Sequence, residues 1–145
     1  KAFEKAIYSS NKVAMSLSDL FCVERHKEQF LELVRKKLDV VFANEQEVLS
    51  LINSKSFNDV ISFSKKLKKN IVITRGEKGA VSIYKDEIIE HPAKKNLKIR
   101  DLTGAGDLFA AGYLHGIINK MSTRDSLAKG TELSAKVIQK IGARI

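Results

Sequence analysis

The segment Asp101-Leu102-Thr103-Gly104-Ala105-Gly106-Asp107-Leu108-Phe109-Ala110-Ala111-Gly112 concentrates residue types that handle anions. Gly104-Ala105-Gly106 opens a stretch with helical character. Small residues let a backbone come close to a ligand. The free N–H groups of a first helical turn, aided by the helix dipole, form a site for a negative group. Asp107 falls in that first turn, beside the site. An acid there is also a comfortable partner for the dipole, so simple capping explains it too. The pattern is not a P-loop, because no Gly-Lys-Ser/Thr follows. It is not the dinucleotide fingerprint either, because Phe109 stands where the third glycine belongs.

Two further clusters stand out. Asn44 and Glu47 lie three apart on one helical face near its start, an arrangement that by itself suits an Asn cap with a first-turn Glu. Thr74 ends a strand-like run, and Gly76 and Gly79 bend the chain after it; a plain hairpin turn needs the same glycines. The three histidines, His26, His91 and His115, have no metal-ligand spacing, so a zinc site is not expected. His26 sits among charges and reads as a surface helix residue, His91 as a strand end, and His115 as a packing residue. Cys22 lacks a neighbouring base and reads as a small hydrophobe rather than a nucleophile.

The elements that must hold these residues alternate between strand and helix. Residues 12–17 read as a strand closed by Ser18-Asp19, after a short amphipathic helix marked by Phe3, Ala6 and Ile7. Phe30, Leu31, Val34 and Leu38 recur at helical spacing within a helix expected over 23–38. Residues 39–43 form a short, continuous, β-branched run, the mark of a buried strand. Asn44 caps the next helix, 45–52, and another begins at Ser56 or Asn58. Residues 70–74 and 80–84 flank the glycine turn as a hairpin, and 87–91 add a third strand before Pro92. Residues 97–100 lead, extended, into the glycine motif. Helices are expected over 107–119 and 123–141, the latter closed by Gly142. The alternation predicts a three-layer α/β/α fold of Rossmann-like type, with a largely parallel sheet and an antiparallel hairpin portion.

The chain has 145 residues, room for one domain, 1–145. Hydrophobic residues make up 43% and charged residues 30%, which argues against disorder. No apolar run approaches the ~20 residues of a membrane helix, and no apolar core follows the first charges as a signal peptide requires. A single cysteine excludes an internal disulfide, and a reducing, cytoplasmic setting follows as the simplest expectation. The balance of 26 basic and 17 acidic residues gives a net charge of +9, enough to attract polyanions. The lysines are scattered, however, so solvated helix faces are expected and no nucleic-acid partner. Lys1 is not a natural start, so a fragment, a processed product or a trimmed chain is expected.

Taken in order, these motifs resemble those of the ribokinase-like carbohydrate and nucleoside kinases, the PfkB family. The segment from Asp101 to Asp107 resembles the family hallmark Asp-Thr-X-Gly-Ala-Gly-Asp. Asn44-Glu45-Gln46-Glu47 resembles its Asn-X-X-Glu motif, and Thr74-Arg75-Gly76-Glu77-Lys78-Gly79 its Thr-X-Gly-X-X-Gly turn. Val137 to Ala143 is similar to the family's last helix. The resemblance spans residues 12–143, and Ser16 to Val23 leans towards the adenosine-kinase-like branch. It implies an ATP-dependent phosphotransferase acting on a hydroxymethyl group of a sugar or nucleoside. Asp107 is then the catalytic base, and the N–H groups of Gly104, Ala105 and Gly106 form the anion hole. Asn44 and Glu47 organise Mg²⁺, largely through water. Thr74, Gly76, Gly79 and Thr103 contact the nucleotide, and Thr131 lines the adenine pocket.

Two departures qualify this. Leu102 stands where the family has Thr. Family members are about twice as long, and their N-terminal part, with the acceptor-binding residues and the lid, does not precede Lys1. The resemblance therefore implies the C-terminal, ATP-binding half of such a kinase. As it stands the chain is either part of a sugar kinase, part of an adenosine kinase specifically, or a nucleotide-binding module without turnover. The resemblance implies no membrane partner, and it admits a homodimer of the full-length protein.

Overall fold

The computed structural model describes residues 2–145. The helix expected near the start is present as α1 (Ala2–Ser9), but the side chains of Phe3 and Ala6 lie outside the described residues. Five strands hydrogen-bond in sequence order, β1-β2-β3-β4-β5. They are β1 (Ala14–Ser16), β2 (Val40–Asn44), β3 (Asn70–Thr74), β4 (Ala80–Tyr84) and β5 (Glu87–His91). Helices separate the first three strands, and β1 pairs in parallel with β2, Met15 facing Val41. Only the two residues Lys85 and Asp86 separate β4 from β5, too few for anything but an antiparallel return. The sheet is therefore mixed, as expected of this α/β fold. No helix among the described residues is long and apolar enough to cross a membrane.

The chain divides into two compact units. The first comprises Lys1–Val72 and Ile83–Glu87 and contains α2 (Leu20–Arg25), α3 (Lys27–Lys36), α4 (Glu45–Ile52) and α5 (Phe57–Leu67). Leu17, Val23, Val34, Leu38, Leu51 and Val60 are all at least 98% buried there. Each contributes about 1.5–3 kcal/mol by leaving water. The helix expected over 23–38 is two helices. Asp19 caps α2 by accepting the Cys22 N–H at 2.8 Å, and His26 breaks the run with φ −124° and ψ 30°. The apolar spacing that suggested one helix belongs to α3 and the residues after it. β1 is shorter than the expected 12–17, although Leu17 still donates its N–H to the Phe42 carbonyl at 2.9 Å. Ser56, not Asn58, caps α5.

The second unit comprises Ile73–Ser82 and Ile88–Ile145. It contains the β3–β4 turn, α6 (Ala105–Ile118) and α7 (Thr123–Val137). Ser122 caps α7 by accepting the Asp125 N–H at 3.1 Å. The last helix stops at Val137, short of the expected Ile141. The Ile138 carbonyl instead accepts the N–H groups of Arg100 at 2.8 Å and Asp101 at 3.3 Å, so Gly142 does not cap the helix.

Helices α6 and α7 meet backbone to backbone. A Cβ on Gly112 would fall 2.7 Å from the Lys129 carbonyl oxygen, and one on Gly130 would fall 2.7 Å from that of Phe109. One on Gly116 would lie 2.8 Å from the Ser126 Cα. Glycines at these three positions let the helices approach more closely than side chains permit. Below the crossing, the buried Tyr113 hydroxyl lies 3.1 Å from the Ser82 hydroxyl on β4.

Candidate functional site

Gly104 is the N-cap of α6, with φ 79° and ψ 1°. That left-handed conformation favours glycine, and a Cβ there would lie 2.8 Å from the Ala143 Cβ. Glycine is thus required twice, by conformation and by space. The helix begins at Ala105, two residues before the expected 107, and the Leu108 N–H makes a bond to the Gly104 carbonyl at 2.9 Å. Asp107 is the third residue of α6, exposed, and its carboxylate has no hydrogen bond or ion pair among the described residues. A Cβ on Gly106 would meet nothing within 4 Å, so the side of the turn it faces is open. The Ala105 N–H, however, is donated to the Leu102 carbonyl at 3.1 Å. For it to serve an anion, that bond must be shared or broken.

Asp101 organises the approach to this turn. Its Oδ1 accepts the Thr103 hydroxyl at 2.6 Å and the Thr103 N–H at 2.9 Å, and its Oδ2 accepts the Gly142 N–H at 2.9 Å. The Thr103 hydroxyl, the Thr103 amide and the Gly142 amide, in that order, hold the Asp101 carboxyl down at about 2. Thr103 therefore spends its hydroxyl proton inside the loop and offers a ligand only an acceptor oxygen.

The turn between β3 and β4 is a single 3-10 turn, Gly76–Lys78, closed by the Arg75 N–H donating to the Gly79 carbonyl at 2.8 Å. Gly79 has φ 91° and ψ −137°, and a Cβ on it would fall 2.1 Å from the His91 carbonyl oxygen. Gly76 has no such neighbour within 4 Å and is exposed, while Thr74 is half-buried. The two glycines thus differ: Gly79 is fixed by backbone packing, whereas Gly76 leaves open space. Arg75 pairs with Glu90 on β5 at 3.8 Å. Thr131 is buried in α7, next to the glycine that packs on Phe109.

Asn44 and Glu47 belong to the first unit; all the other expected site residues belong to the second. The pair forms a complete capping box. Asn44 Oδ1 accepts the Glu47 N–H at 2.8 Å, and Glu47 Oε2 accepts the Asn44 N–H at 2.9 Å. A further bond runs from Asn44 Nδ2 to Glu47 Oε1 at 2.7 Å. Burial pushes the Glu47 carboxyl up, the Asn44 amide opposes this, and the Asp19 charge adds to it. The three oxygens still have lone pairs to offer. Among the described residues no three His, Cys, Asp or Glu side chains gather as a metal cage. One carboxylate and one amide fit an ion that keeps its water shell, as Mg²⁺ does.

Sequence reasoning missed the parts played by Asp101 and Asp19. Asp19 was legible as a cap: it precedes an apolar stretch and has a free N–H three residues on. The partner of Asp101, 41 residues away, left no local signal. His26 is exposed as expected, and His91 half-buried. His115 is exposed on α6 rather than packed. Cys22 is half-buried. Its thiol is pushed up, first by its hydrogen bond to the Asp19 carboxylate and then by burial, which disfavours a nucleophilic thiolate.

A family model described as "pfkB family carbohydrate kinase" matches residues 2–145. The cytidine kinase of Thermococcus kodakarensis is 33% identical over 126 residues, covering 81% of this chain and 45% of its own length. Among solved structures, a probable sugar kinase from Rhizobium etli superposes with a TM-score of 0.92 at 37% identity, over 98% of this chain and 43% of that one. The adenosine kinase from Sinorhizobium meliloti does so with a TM-score of 0.93 at 36% identity, over 99% and 44%. The chain spans less than half the length of these proteins.

Proposed function

The chain belongs to the pfkB family of carbohydrate kinases, and from that membership we propose that it is the ATP-binding, C-terminal part, a single domain over 1–145, of a kinase that phosphorylates a hydroxymethyl group of a sugar or nucleoside. The observation that carries this reading is the Gly104 turn, which opens α6 with an exposed Asp107 in its first turn that has no partner among the described residues. The acceptor hydroxyl oxygen forms a bond to the γ-phosphorus, the bond from that phosphorus to the β-phosphate oxygen breaks, and ADP leaves. The hydroxyl proton passes to Asp107. A carboxylate held in this turn can take the hydroxyl proton late in the transfer. Phosphoryl transfer depends mostly on positioning and charge stabilisation. The N–H groups of Gly104, Ala105 and Gly106 supply the latter, each at about 2.7–4 kcal/mol if it acts as an oxyanion donor does.

Thr74, Gly76, Gly79 and Thr103 lie along the nucleotide in this reading, and Thr131 borders its base. Asn44 and Glu47 hold Mg²⁺ through water; the ion, when bound, offsets charge on the phosphates. Asp107→Asn in the full-length protein should abolish turnover while leaving ATP affinity intact, and normal turnover by that variant would sink the assignment. Calorimetric titration with Mg·ATP should show weaker binding when Asn44 and Glu47 are both replaced by Ala.

A nucleoside acceptor is supported by the cytidine kinase and adenosine kinase relatives, a sugar by the probable sugar kinase. ADP release in the presence of adenosine, cytidine, ribose or fructose decides between them. A second reading, a nucleotide-binding module without turnover, is favoured by the chain's spanning 43–45% of these proteins. It predicts Mg·ATP binding with no acceptor-stimulated ADP release from the chain alone. A cytoplasmic protein without nucleic-acid partners, and a homodimer at full length, complete the proposal. Steeply salt-dependent binding to DNA or RNA would contradict it.

A further inference from the structure

The residues after α7 do not trail away from the fold. Ile138 accepts two N–H groups from Arg100 and Asp101, Gly142 donates its N–H to Asp101 Oδ2 at 2.9 Å, and Ala143 occupies the space where a Cβ on Gly104 would stand. All these contacts meet on the few residues that lead into α6. The other Asp101 oxygen receives both Thr103 donors. One carboxylate thus ties the loop to the tail, and the tail backs the left-handed residue that starts the helix.

We propose that Asp101 is a positioning residue that latches residues 138–143 onto the loop 101–104, and that this latch holds the N–H groups of residues 104–106 in the arrangement an anion needs. The structural half stands on the contacts alone; the functional half rests on the kinase reading. Asp101 touches neither nucleotide nor acceptor in this scheme. It acts through Gly104, whose φ of 79° is held between the Thr103 turn on one side and Ala143 on the other.

The test uses the whole chain and three variants. Asp101→Ala removes the carboxylate. Gly142→Pro removes the N–H donor of residue 142 and also forces the backbone there out of its left-handed conformation, φ 86°. Asp101→Asn keeps one acceptor oxygen and should fall between wild type and Asp101→Ala. Hydrogen exchange of the Ala105 amide, which is donated to the Leu102 carbonyl, reads the loop directly. We expect exchange about tenfold faster or more in Asp101→Ala and in Gly142→Pro, with no further rise in the double variant, since both cut the same latch. Calorimetry with Mg·ATP and Mg·ADP reads the functional half. ATP affinity should fall about five- to tenfold while ADP affinity changes less than about twofold, because only ATP carries the γ-phosphate that the turn is proposed to receive.

Unchanged exchange in folded Asp101→Ala and Gly142→Pro overturns the latch. Equal weakening of ATP and ADP overturns its positioning role and leaves Asp101 a structural residue. Should Asp101→Ala fail to fold, Asp101→Asn and Gly142→Pro carry the same two readouts. If the wild-type chain binds neither nucleotide, the positioning role is overturned for this chain, while the exchange measurement still decides the latch.

Discussion

Gly79 and Asn44 show how much a single residue holds here. Gly79 combines a φ of 91° with a carbonyl oxygen 2.1 Å from where a Cβ would be. Gly79→Ala should cost at least about 2 kcal/mol from backbone strain alone, and more from displacing residues 91–93. A urea midpoint equal to that of the wild type would show the contact to be looser than described. Asn44→Ala removes the cap, worth about 1 kcal/mol. It also takes the Nδ2 donor from a carboxylate that is only 4% exposed, a further cost of about 1–3 kcal/mol. Denaturant unfolding should therefore show a larger loss than a cap alone explains. The glycines and the Asn-Glu pair were legible because their roles are local: a turn needs φ > 0, and a cap needs a partner three residues on. The 91–93 segment that fixes Gly79 was not, because tertiary contact alone brings it there.

At the scale of elements, the α6–α7 crossing governs how Asp107 and Thr131 are held. Each sits on one of two helices whose backbones touch through Gly112, Gly116 and Gly130. A methyl group at Gly112 or Gly130 must move backbone, not a flexible side chain, so either Ala variant should lose about 1–3 kcal/mol. Thermal unfolding measures this, and a wild-type midpoint in Gly130→Ala would refute the close crossing. Both helices were readable from spacing, whereas the Ser122 cap of α7 came only with the structure. The crossing was not: the sequence shows small residues, but which ones face each other depends on how the helices dock. The broken helix at His26 and the early end of α7 have a related cause. Apolar periodicity marks what is buried, whereas the ends are set by which N–H or carbonyl finds another partner, as Ile138 does.

Across the whole molecule, charge decides the response to acid. Asp101 and Glu132 are both held down at about 2, the first by Thr103 and Gly142, the second by hydrogen bonds and charge from Lys136 and Lys129. Groups lowered on folding stabilise the fold above their ordinary values of 3.8 and 4.5, and that stabilisation disappears as pH falls towards 2. Glu47 acts in the opposite sense, since its raised carboxyl favours the fold at low pH and ceases to as pH rises through it. Asp101 and Glu132 outnumber it, and protonating carboxylates adds to a charge already at +9. Urea midpoints should therefore fall between about pH 4.5 and 2, less steeply in Glu132→Gln. An equally steep fall in that variant would exclude Glu132 as a contributor. The mixed α/β fold was legible from strand–helix alternation; the division into two units was not, because its boundaries cut through β3, β4 and β5 rather than falling at a change in composition. The bond between Asp101 and Gly142 also has a meaning in time. The two residues lie 41 apart in sequence, and a ribosome adding about 5–20 residues per second makes the loop about 2–8 s before its clasp. A growing chain thus carries the loop that leads into α6 before its clasp exists, and the clasp closes only once Gly142 has been made.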